Sequence, residues 1–587
     1  MREEASIVSD LSVLATGALV VAGLVVLGFR LAQLQLVDAE KYSYDSVRQP
    51  VRTVQTAGPR GRILARDGTM LADNRASVSI AVSPEGFQRP SWRETILAIS
   101  NAVARVAETV GLPVGLSTNA IGRHVRQELA RPLVVWRDVG DEAVARFSEN
   151  EREFPGFECI ETEERVYPQG RLAAHVLGYV GRAETASPAG ARFSFRDREM
   201  KGREGIEAFY DSYLRGSPGE LKVTVDARGF AVGEETVVEA RRGPDLVLTL
   251  DVGVQRAVER QLRGECGACA VVDPRDGSVL ALASAPGFDP NDFVPVLPQA
   301  LYDRFRANPL KPLLNRASGG AYAPGSTFKP VTALAGLRAG WPAGRESECA
   351  GVFELGGMRL HCARRWGHGP IDLRHALKES CNVFFCSLGC DIGTNALIRA
   401  ARDLGLGAKT GVDLGVDMAG AVPDGTWKMR MYNERWYPGD LAQMSIGQGM
   451  LLASPLQMAC LAGAIGTGFL ARPRLRASAP VERTPVPFAA RDLDVVRDGM
   501  RMVVDGGTGR LAGTGVAVSV AGKTGTAEVG RGATRRKNTW FIAYAPAERP
   551  TVAVAMVVEN GVSGGGTTAP KVNRVLKAVF GEREAGE

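Results

Sequence analysis

The feature that most limits how this chain can fold is an apolar run near its amino terminus. Residues Leu11 to Phe29 contain no charged side chain and are bounded by Asp10 and Arg30. A helix rises about 1.5 Å per residue, so this run nearly spans a hydrocarbon core of about 30 Å. The residues before it are mildly acidic, and no small-residue cleavage site follows it. The sequence therefore predicts an uncleaved transmembrane helix over residues 11–30 after a short tail, residues 1–10.

Composition restricts the classes of function open to the rest of the chain. Its 587 residues are enough for about two to four domains. Lys and Arg number 71 against 65 Asp and Glu, giving a net charge of +6, and no dense basic run is interleaved with aromatic residues. Nucleic-acid binding is therefore not expected. The cysteine count is odd, nine, and a chain of this size needs no disulfide framework, which favours metal binding or plain burial for most of them.

Local patterns divide the remaining chain into two α+β regions. Residues 31–240 combine turn-rich strand patterns, helical stretches and proline-bearing loops, but contain no catalytic constellation. Residues 241–587 begin and end with strand patterns around a helix-rich centre. Strands at both ends of a region predict one sheet that is split in sequence and flanked by helices.

The first candidate catalytic pattern is Ser326 followed three residues later by Lys329. A helix starting here would set both side chains on one face. A hydroxyl is a weak nucleophile until a base removes its proton, and lysine acts as a base only when burial or nearby cations lower its pKa. Ser326 is thus a candidate nucleophile and Lys329 its base. Because Ser-x-x-Lys occurs about once by chance in such a chain, a helix start with a solvated lysine remains the alternative.

Two further motifs favour catalysis. Ser380-Cys381-Asn382 lies in a predicted helical stretch, and Lys523-Thr524-Gly525-Thr526 lies in a predicted strand. With the first pattern they match, in order, the three-part signature of penicillin-interacting serine enzymes. The alternatives are a Ser/Asn pair on a helix surface and a turn at the end of a strand.

Each motif residue has a predicted chemical role. Ser380 can relay a proton to a leaving amine, Asn382 can hold a substrate amide, and Lys523 supplies positive charge near a substrate carboxylate. The substrate-binding strand comprises Thr524, Gly525 and Thr526. Its glycine is expected to permit close approach of the substrate. The backbone N–H groups of Ser326 and Thr526 are predicted to form the oxyanion hole.

Beyond these motifs, the chain resembles the class B penicillin-binding proteins over nearly all of its length. Two segments, residues 367–369 and 436–440, look like the elongation type rather than the division type. The other similar segments are Gly58–Ile63, Arg66–Gly68, Leu71–Asn74, His175–Gly181, Gly202–Glu207, Tyr210–Asp211, Leu214–Gly216, Ser445–Gly449 and Ser454–Gln457. The resemblance implies an elongated α+β pedestal over residues 31–240. It also implies a transpeptidase domain over residues 241–587, with an antiparallel sheet flanked by helices and a helical subdomain.

The resemblance also implies an activity and a location. The expected enzyme is a serine-type peptidoglycan D,D-transpeptidase that cross-links stem peptides during cell-wall elongation and is trapped by β-lactams. It would be single-pass in the inner membrane, with its catalytic domain on the periplasmic side. Expected partners are a glycan polymerase of the SEDS family and rod-shape scaffold proteins. A D,D-carboxypeptidase, a β-lactamase, or a scaffold that activates a membrane glycan polymerase are the alternatives.

Catalysis of this kind requires no cofactor, but four residues form a candidate zinc site: Cys349, Cys362, His368 and Cys381. Glycines between them allow the chain to fold back, and tetrahedral zinc suits this ligand set. Their spacing is wider than in zinc ribbons, so ordinary buried cysteines remain the alternative, and His361 is a competing ligand. Some elongation-type relatives carry a zinc position of Cys, His and acidic residues that this set resembles. Cys266 and Cys269 are interpreted as core residues.

Overall fold

A computed structural model describes residues 2–38, 51–182, 194–196, 200–530 and 536–581. It begins with helix α1, Arg2–Ala32, which Gln33–Val37 extend as a π-helix. Over Leu11–Val37 the mean hydropathy is 2.4, and the apolar window is not buried against the rest of the protein. Because a long apolar helix with exposed sides requires an apolar solvent, it is compatible with a single membrane anchor.

The region after the anchor contains short strands and helices. Its strands are β1 (Val51–Thr56), β2 (Ile63–Leu64), β3 (Met70–Val82), β4 (Leu133–Trp136), β5 (Phe157–Val166), β6 (Val180–Arg182), β7 (Ser194–Arg196), β8 (Met200–Gly202), β9 (Gly219–Val225), β10 (Ala231–Val238) and β11 (Leu246–Val247). Its helices are α2 (Trp92–Val110), α3 (Thr118–Gln127), α4 (Asp141–Asn150), α5 (Ala174–Leu177), α6 (Gly205–Phe209) and α7 (Asp211–Leu214).

Two sheets organise this pedestal region. One has the strand order β10-β9-β1-β7, and the other has the order β11-β2-β3-β4, with β5 also paired to β3. Strand β11 pairs in parallel with β2, although the predicted boundary at residue 240 places β11 in the catalytic domain. That boundary stays a prediction.

A buried ionic cluster connects three segments of the pedestal that are distant in sequence. Glu207, at 0% exposure, receives hydrogen bonds from Arg60 Nη2 at 2.8 Å and from Arg165 Nε at 2.7 Å. Arg60 also pairs with Asp211 at 2.8 Å. The chain packs closely here, since a Cβ on Gly202 would lie 1.8 Å from the carbonyl oxygen of Glu207. One buried carboxylate thus compensates two arginines from distant segments.

Removal of that carboxylate should destabilise the pedestal strongly. Glu207→Ala leaves two buried guanidinium groups without their shared partner, and breaking a buried ion pair in this way costs about 3–5 kcal/mol. Urea unfolding of the purified full chain is the measurement. The matched control is Glu163→Ala, an exposed position on β5, for which a change within about 0.5 kcal/mol is expected. Equal effects of the two substitutions would contradict the structural role of Glu207.

The catalytic region is built on a five-stranded antiparallel sheet with the strand order β13-β12-β22-β21-β20. The strands are β12 (Gly267–Val272), β13 (Val279–Ala285), β14 (Ser347–Cys349), β15 (Val352–Leu355), β16 (Met358–His361), β17 (Gly369–Ile371), β18 (Phe469–Ala471), β19 (Arg483–Pro485), β20 (Ala521–Val529), β21 (Arg536–Ala545) and β22 (Val552–Glu559). Three of the sheet strands come from the end of the chain and two from the start of the region. The prediction of one sheet split in sequence is therefore confirmed.

Helices cover both faces of this sheet. They are α8 (Val252–Leu262), α9 (Gln299–Ala307), α10 (Arg316–Gly319), α11 (Lys329–Arg338), α12 (Leu373–Lys378), α13 (Asn382–Ile392), α14 (Thr394–Asp403), α15 (Gly425–Tyr432), α16 (Pro438–Ser445), α17 (Pro455–Thr467), α18 (Ala490–Gly506) and α19 (Ala569–Val579). On β22, Ala555 and Val557 pack in the cluster that contains α17, whereas Val554 and Met556 pack with α8 and α19. Burial on both faces explains why β22 is apolar from Val552 to Val558. The α+β fold class is confirmed.

Candidate active site

The nucleophile candidate lies on a tight turn. Residues Gly325–Phe328 form a single 3₁₀ turn that leads into helix α11, and Ser326 is half-buried while its neighbours are buried. Gly325 has φ +57°, and a Cβ there would lie 2.7 Å from the carbonyl oxygen of Thr526. Since only glycine adopts this conformation without a steric penalty, the turn can pack directly against strand β20.

The Lys329 side chain is completely buried behind this turn. Its Nζ donates to the backbone oxygen of Ser380 at 2.6 Å, to Ser380 Oγ at 3.2 Å and to Asn382 Oδ1 at 2.7 Å. Burial lowers the pKa of Lys329 to about 8, so a neutral amine is accessible near neutral pH. In the described part of the chain, no hydrogen bond joins Ser326 Oγ to Lys329 Nζ. The Lys329 amine instead bonds to Ser380 and Asn382, so its predicted role as the base for Ser326 stays a prediction.

The sequence predicted that Ser380 lies in a helical stretch. In the structure Ser380 instead connects two helices. It follows α12, precedes α13 and has φ +57°, a conformation uncommon for a residue with a side chain. Its neighbour Cys381 caps α13 by accepting the N–H of Phe384 through Sγ at 3.4 Å. Asn382 begins α13, and its Nδ2 donates to the carbonyl of His361 at 2.9 Å. That bond turns Asn382 Oδ1 towards the Lys329 amine.

Lys523 enters the cleft from strand β20. Its side chain is fully buried, and its Nζ donates to Ser380 Oγ at 2.8 Å and to the carbonyl of Thr524 at 3.0 Å. Burial and the nearby charge of Lys329 lower the pKa of Lys523 well below its usual value. Ser380 Oγ therefore lies between two lysines, where its oxygen can accept from one and exchange a proton with the other.

The four candidate metal ligands also converge. The ligand atoms of Cys349, Cys362, His368 and Cys381 lie within 4.8 Å of one another. His368 Nδ1 is 3.4 Å from Cys349 Sγ and 3.6 Å from Cys362 Sγ, and Cys362 Sγ is 3.9 Å from Cys381 Sγ. His361 is exposed and uses its carbonyl to hold Asn382. Cys269 is fully buried in β12, whereas Cys266 is only partly buried.

Comparisons with known proteins identify the family of this chain. The family model for the penicillin-binding protein transpeptidase domain matches residues 267–577, and the model for the penicillin-binding protein dimerisation domain matches residues 55–248. The peptidoglycan D,D-transpeptidase MrdA of Acinetobacter baumannii is 33% identical, with coverage of 93% of this chain and 84% of the relative. The chain belongs to the elongation-type class B penicillin-binding proteins. It is a peptidoglycan D,D-transpeptidase by its family.

Solved structures of penicillin-binding proteins extend the similarity to the whole architecture. The Helicobacter pylori PBP2 in complex with MreC is 27% identical, with a TM-score of 0.77 over 90% of this chain and 99% of that one. A chain from a peptidoglycan synthase complex, described as coordinating polymerization and crosslinking, is 29% identical, with a TM-score of 0.73 over 98% of this chain and 99% of that one.

In this penicillin-binding protein, Gly525 lies directly against the turn that carries Ser326. A Cβ at Gly525 would lie 2.8 Å from Thr327 Cγ2 and 2.9 Å from the carbonyl oxygen of Pro324. The open side of the glycine thus faces the turn that carries Ser326. Gly525 permits the close approach of the nucleophile turn to β20, and its predicted role towards substrate stays a prediction.

Two further residues of this penicillin-binding protein support the cleft, and neither could be identified from the sequence pattern. Trp540 on β21 donates its indole N–H to the carbonyl of Ala323 at 3.0 Å, three residues before Ser326. Thr508 Oγ1 lies 2.8 Å from Thr524 Oγ1. Trp540 lies beside Gly525 only through cross-strand register, and Thr508 follows α18, far from the motifs in sequence. No local pattern identifies either contact.

Proposed function

We propose that Ser326 attacks the carbonyl carbon of the penultimate D-alanine in a donor stem peptide. The terminal D-alanine leaves, and an amine of a neighbouring stem peptide then attacks the ester on Ser326, which restores the free hydroxyl. The observation that carries this assignment is that Lys329 and Lys523 both donate to Ser380 Oγ, while Asn382 accepts from Lys329, which follows the turn that bears Ser326. One serine hydroxyl between two buried amines can carry protons into and out of the reaction.

The proton path follows from these contacts. Lys329 in its neutral form takes the hydroxyl proton of Ser326 as the new C–O bond forms, which requires rotation away from one of its present acceptors. Ser380 then gives a proton to the nitrogen of the departing D-alanine and recovers one from a neighbouring lysine. Lys523 lies beside Thr524, where the carboxylate of the donor peptide would bind, and the negative charge of that carboxylate would favour the protonated form of its amine.

The lifetime of the penicillin adduct distinguishes this function from the enzymatic alternatives. A transpeptidase has no base dedicated to activating water, so the acyl-enzyme formed with a fluorescent penicillin should persist for many minutes in gel-based assays. Chase with unlabelled penicillin measures its loss. Release within seconds would identify a β-lactamase instead, and D-alanine release without cross-linked product would identify a carboxypeptidase.

A structural zinc ion is the second part of the proposal. In a tetrahedron with Zn–S of about 2.3 Å and Zn–N of about 2.0–2.1 Å, sulfur atoms lie about 3.8 Å apart and sulfur–nitrogen pairs about 3.6 Å apart. The Cys362–Cys381 distance of 3.9 Å and the His368 distances of 3.4 and 3.6 Å fit that geometry. Hydrogen bonding from Cys381 lowers the pKa of Cys362, which favours a thiolate ligand. When bound, zinc would brace the segment that holds Ser380 and Asn382 without taking part in the reaction.

Elemental analysis tests the zinc proposal directly. Protein purified after expression in zinc-supplemented medium should contain about one zinc per chain, and Cys362→Ser should reduce that ratio and lower Tm, because metal binding contributes to folding. Cys460→Ser is the matched control, since Cys460 is buried but lies outside the cluster. A zinc content near zero in the unmodified protein would reduce the four residues to a buried thiol–imidazole cluster.

The orientation and the partners complete the proposed function. Lipid-linked wall precursor is polymerised outside the inner membrane, so we place the catalytic domain on the periplasmic side of helix α1. The complexes of the related proteins support a scaffold protein and a glycan polymerase as partners, and we place their contacts on the pedestal. Strand β10 supplies exposed apolar positions there, including Val237 at 45%.

Site-specific photo-crosslinking in cells tests the partner assignment. A photoreactive residue at Val237 on the pedestal should yield adducts with the polymerase or scaffold protein. The same residue at Leu511, an equally exposed apolar position in the catalytic region at 43%, should not. Adducts from position 511 alone would move the partner surface to the catalytic region.

A further inference from the structure

The loop Ser445–Gly449 touches both halves of the predicted oxyanion hole, although the reaction scheme above gives it no role. It follows helix α16 and turns sharply, with φ +73° at Gly447 and +74° at Gly449. The carbonyl of Gly447 accepts the N–H of Gly325 at 2.8 Å. A Cβ on Gly447 would lie 2.0 Å from the carbonyl oxygen of Gly325. The loop is therefore packed directly against the turn that carries Ser326.

A second contact fixes this loop to the nucleophile helix. Thr332, one turn into α11, donates its hydroxyl to the carbonyl of Ser445 at 2.7 Å. The loop is also closed on its own helix, because Gln448 N–H donates to the carbonyl of Gln443 at 2.9 Å. These bonds leave the Gln448 side chain as the part of the loop that extends towards β20.

Strand β20 is the edge strand of the sheet, so alternate peptide groups along it have no partner strand. On this open edge the carbonyl of Thr524 accepts from Lys523 Nζ, and the carbonyl of Thr526 accepts from Gln448 Nε2 at 3.1 Å. In an antiparallel strand the N–H and C=O of one residue point to the same side. The N–H of Thr526 therefore also points to the open edge, where the oxyanion hole is predicted.

We propose that Gln448 is a positioning residue for the oxyanion hole, an inference that rests on the proposed function. The Gly447-Gln448 dipeptide holds the Ser326 turn with a backbone carbonyl and holds Thr526 with a side-chain amide. It thereby sets the distance between the two N–H donors. The Gln448 amide also has an electrostatic effect, because it donates to the carbonyl oxygen of Thr526. The partial negative charge of that oxygen would otherwise oppose the negative charge that develops on the carbonyl oxygen of the donor peptide.

This arrangement stabilises the transition state more than it stabilises the bound substrate. Charge on the carbonyl oxygen of the donor peptide appears only when the tetrahedral intermediate forms, and donors aimed at that position contribute most at that moment. Loss of Gln448 should therefore slow acylation and leave the initial non-covalent complex almost unchanged. Loss of one oxyanion donor typically costs about 10²–10³ in rate, so displacement of a donor should cost less.

The test compares Gln448→Ala and Gln448→Glu with the unmodified chain. Glutamate has nearly the same shape but cannot donate to the Thr526 carbonyl. Stopped-flow acylation by a penicillin gives the acylation rate constant and the dissociation constant of the initial complex. Affinity for an amide-bearing boronic acid gives a second readout. Ser326 Oγ donates an electron pair to boron, its proton passes to the base, no group leaves, and the tetrahedral boron carries the negative charge into the oxyanion hole.

Both variants should acylate about 10- to 100-fold more slowly, lose boronic acid affinity by a similar factor and keep the dissociation constant of the initial complex. Gln443→Ala is the matched control, because Gln443 lies on helix α16 just before the loop, and its side chain donates to Met358 Sδ rather than to β20. If Gln448→Ala does not fold, Gln448→Glu gives the same readouts. Unchanged acylation, or losses equal to those of Gln443→Ala, would overturn the positioning role. Failure of the unmodified chain to acylate would instead overturn the proposed function itself.

Discussion

Ser326→Ala should abolish cross-linking by the full-length protein. The substitution removes the atom that forms the acyl-enzyme, and loss of a catalytic serine of this kind costs on the order of 10⁴-fold or more in rate. The expected result is no detectable cross-linked product from lipid-linked precursor when the chain is reconstituted with a glycan polymerase. Polymerisation of the glycan itself should continue, because Ser326 contributes nothing to the pedestal.

The control for this experiment is Ser318→Ala. Ser318 is another buried serine of the catalytic region, located on α10 and outside the group of residues around Ser380. It should cross-link at a rate close to that of the unmodified protein. Persistence of cross-linking after Ser326→Ala would show that another residue carries the acyl group.

Lys329→Met should produce the second-largest loss. Methionine fills the same buried space but cannot accept the hydroxyl proton, and loss of a general base costs about 10²–10⁴ in rate. The acylation rate of the unmodified chain should also rise as pH increases through the pKa of Lys329, about 8, because only the neutral amine accepts a proton. The variant should lose that rise. Stopped-flow measurements between pH 6 and pH 9 follow both effects.

Lys428→Met separates the loss of a base from the loss of any buried lysine. Lys428 is 6% exposed and pairs with Asp440 at 2.8 Å, outside the hydrogen bonds of the cleft. The control should lower Tm while its acylation rate and pH profile remain close to those of the unmodified protein. A similar loss of acylation in both lysine variants would contradict a specific role for Lys329 as base.

Sequence patterns predicted the positions of the cleft residues well because each motif is short and follows a local rule. Ser326 and Lys329 are three residues apart, and Lys523 lies in a short strand pattern. The four zinc ligand candidates were predicted from residue type, the glycines between them and the family resemblance, and their ligand atoms lie close together. Local chemistry of this kind is visible without knowledge of the fold.

Contacts that depend on packing between distant segments could not be predicted. Lys329 donates to residues 51 and 53 positions away, so the direction of its amine depends on where helix α13 lies. The positive φ of Ser380 arises from the junction of two helices. Gly525 contacts the nucleophile turn only because β20 lies at the sheet edge beside it. The Gln448 contact with Thr526, 78 residues away, is of the same kind.

Mass spectrometry of the penicillin adduct tests the central claim most directly. Full-length protein is incubated with a penicillin, denatured and digested, and the modified peptide is sequenced. The account predicts one adduct with the mass of the intact penicillin, attached to Ser326 in the peptide that also contains Lys329. No adduct on the intact protein, or an adduct attached to any other residue, would contradict Ser326 as the acylated nucleophile.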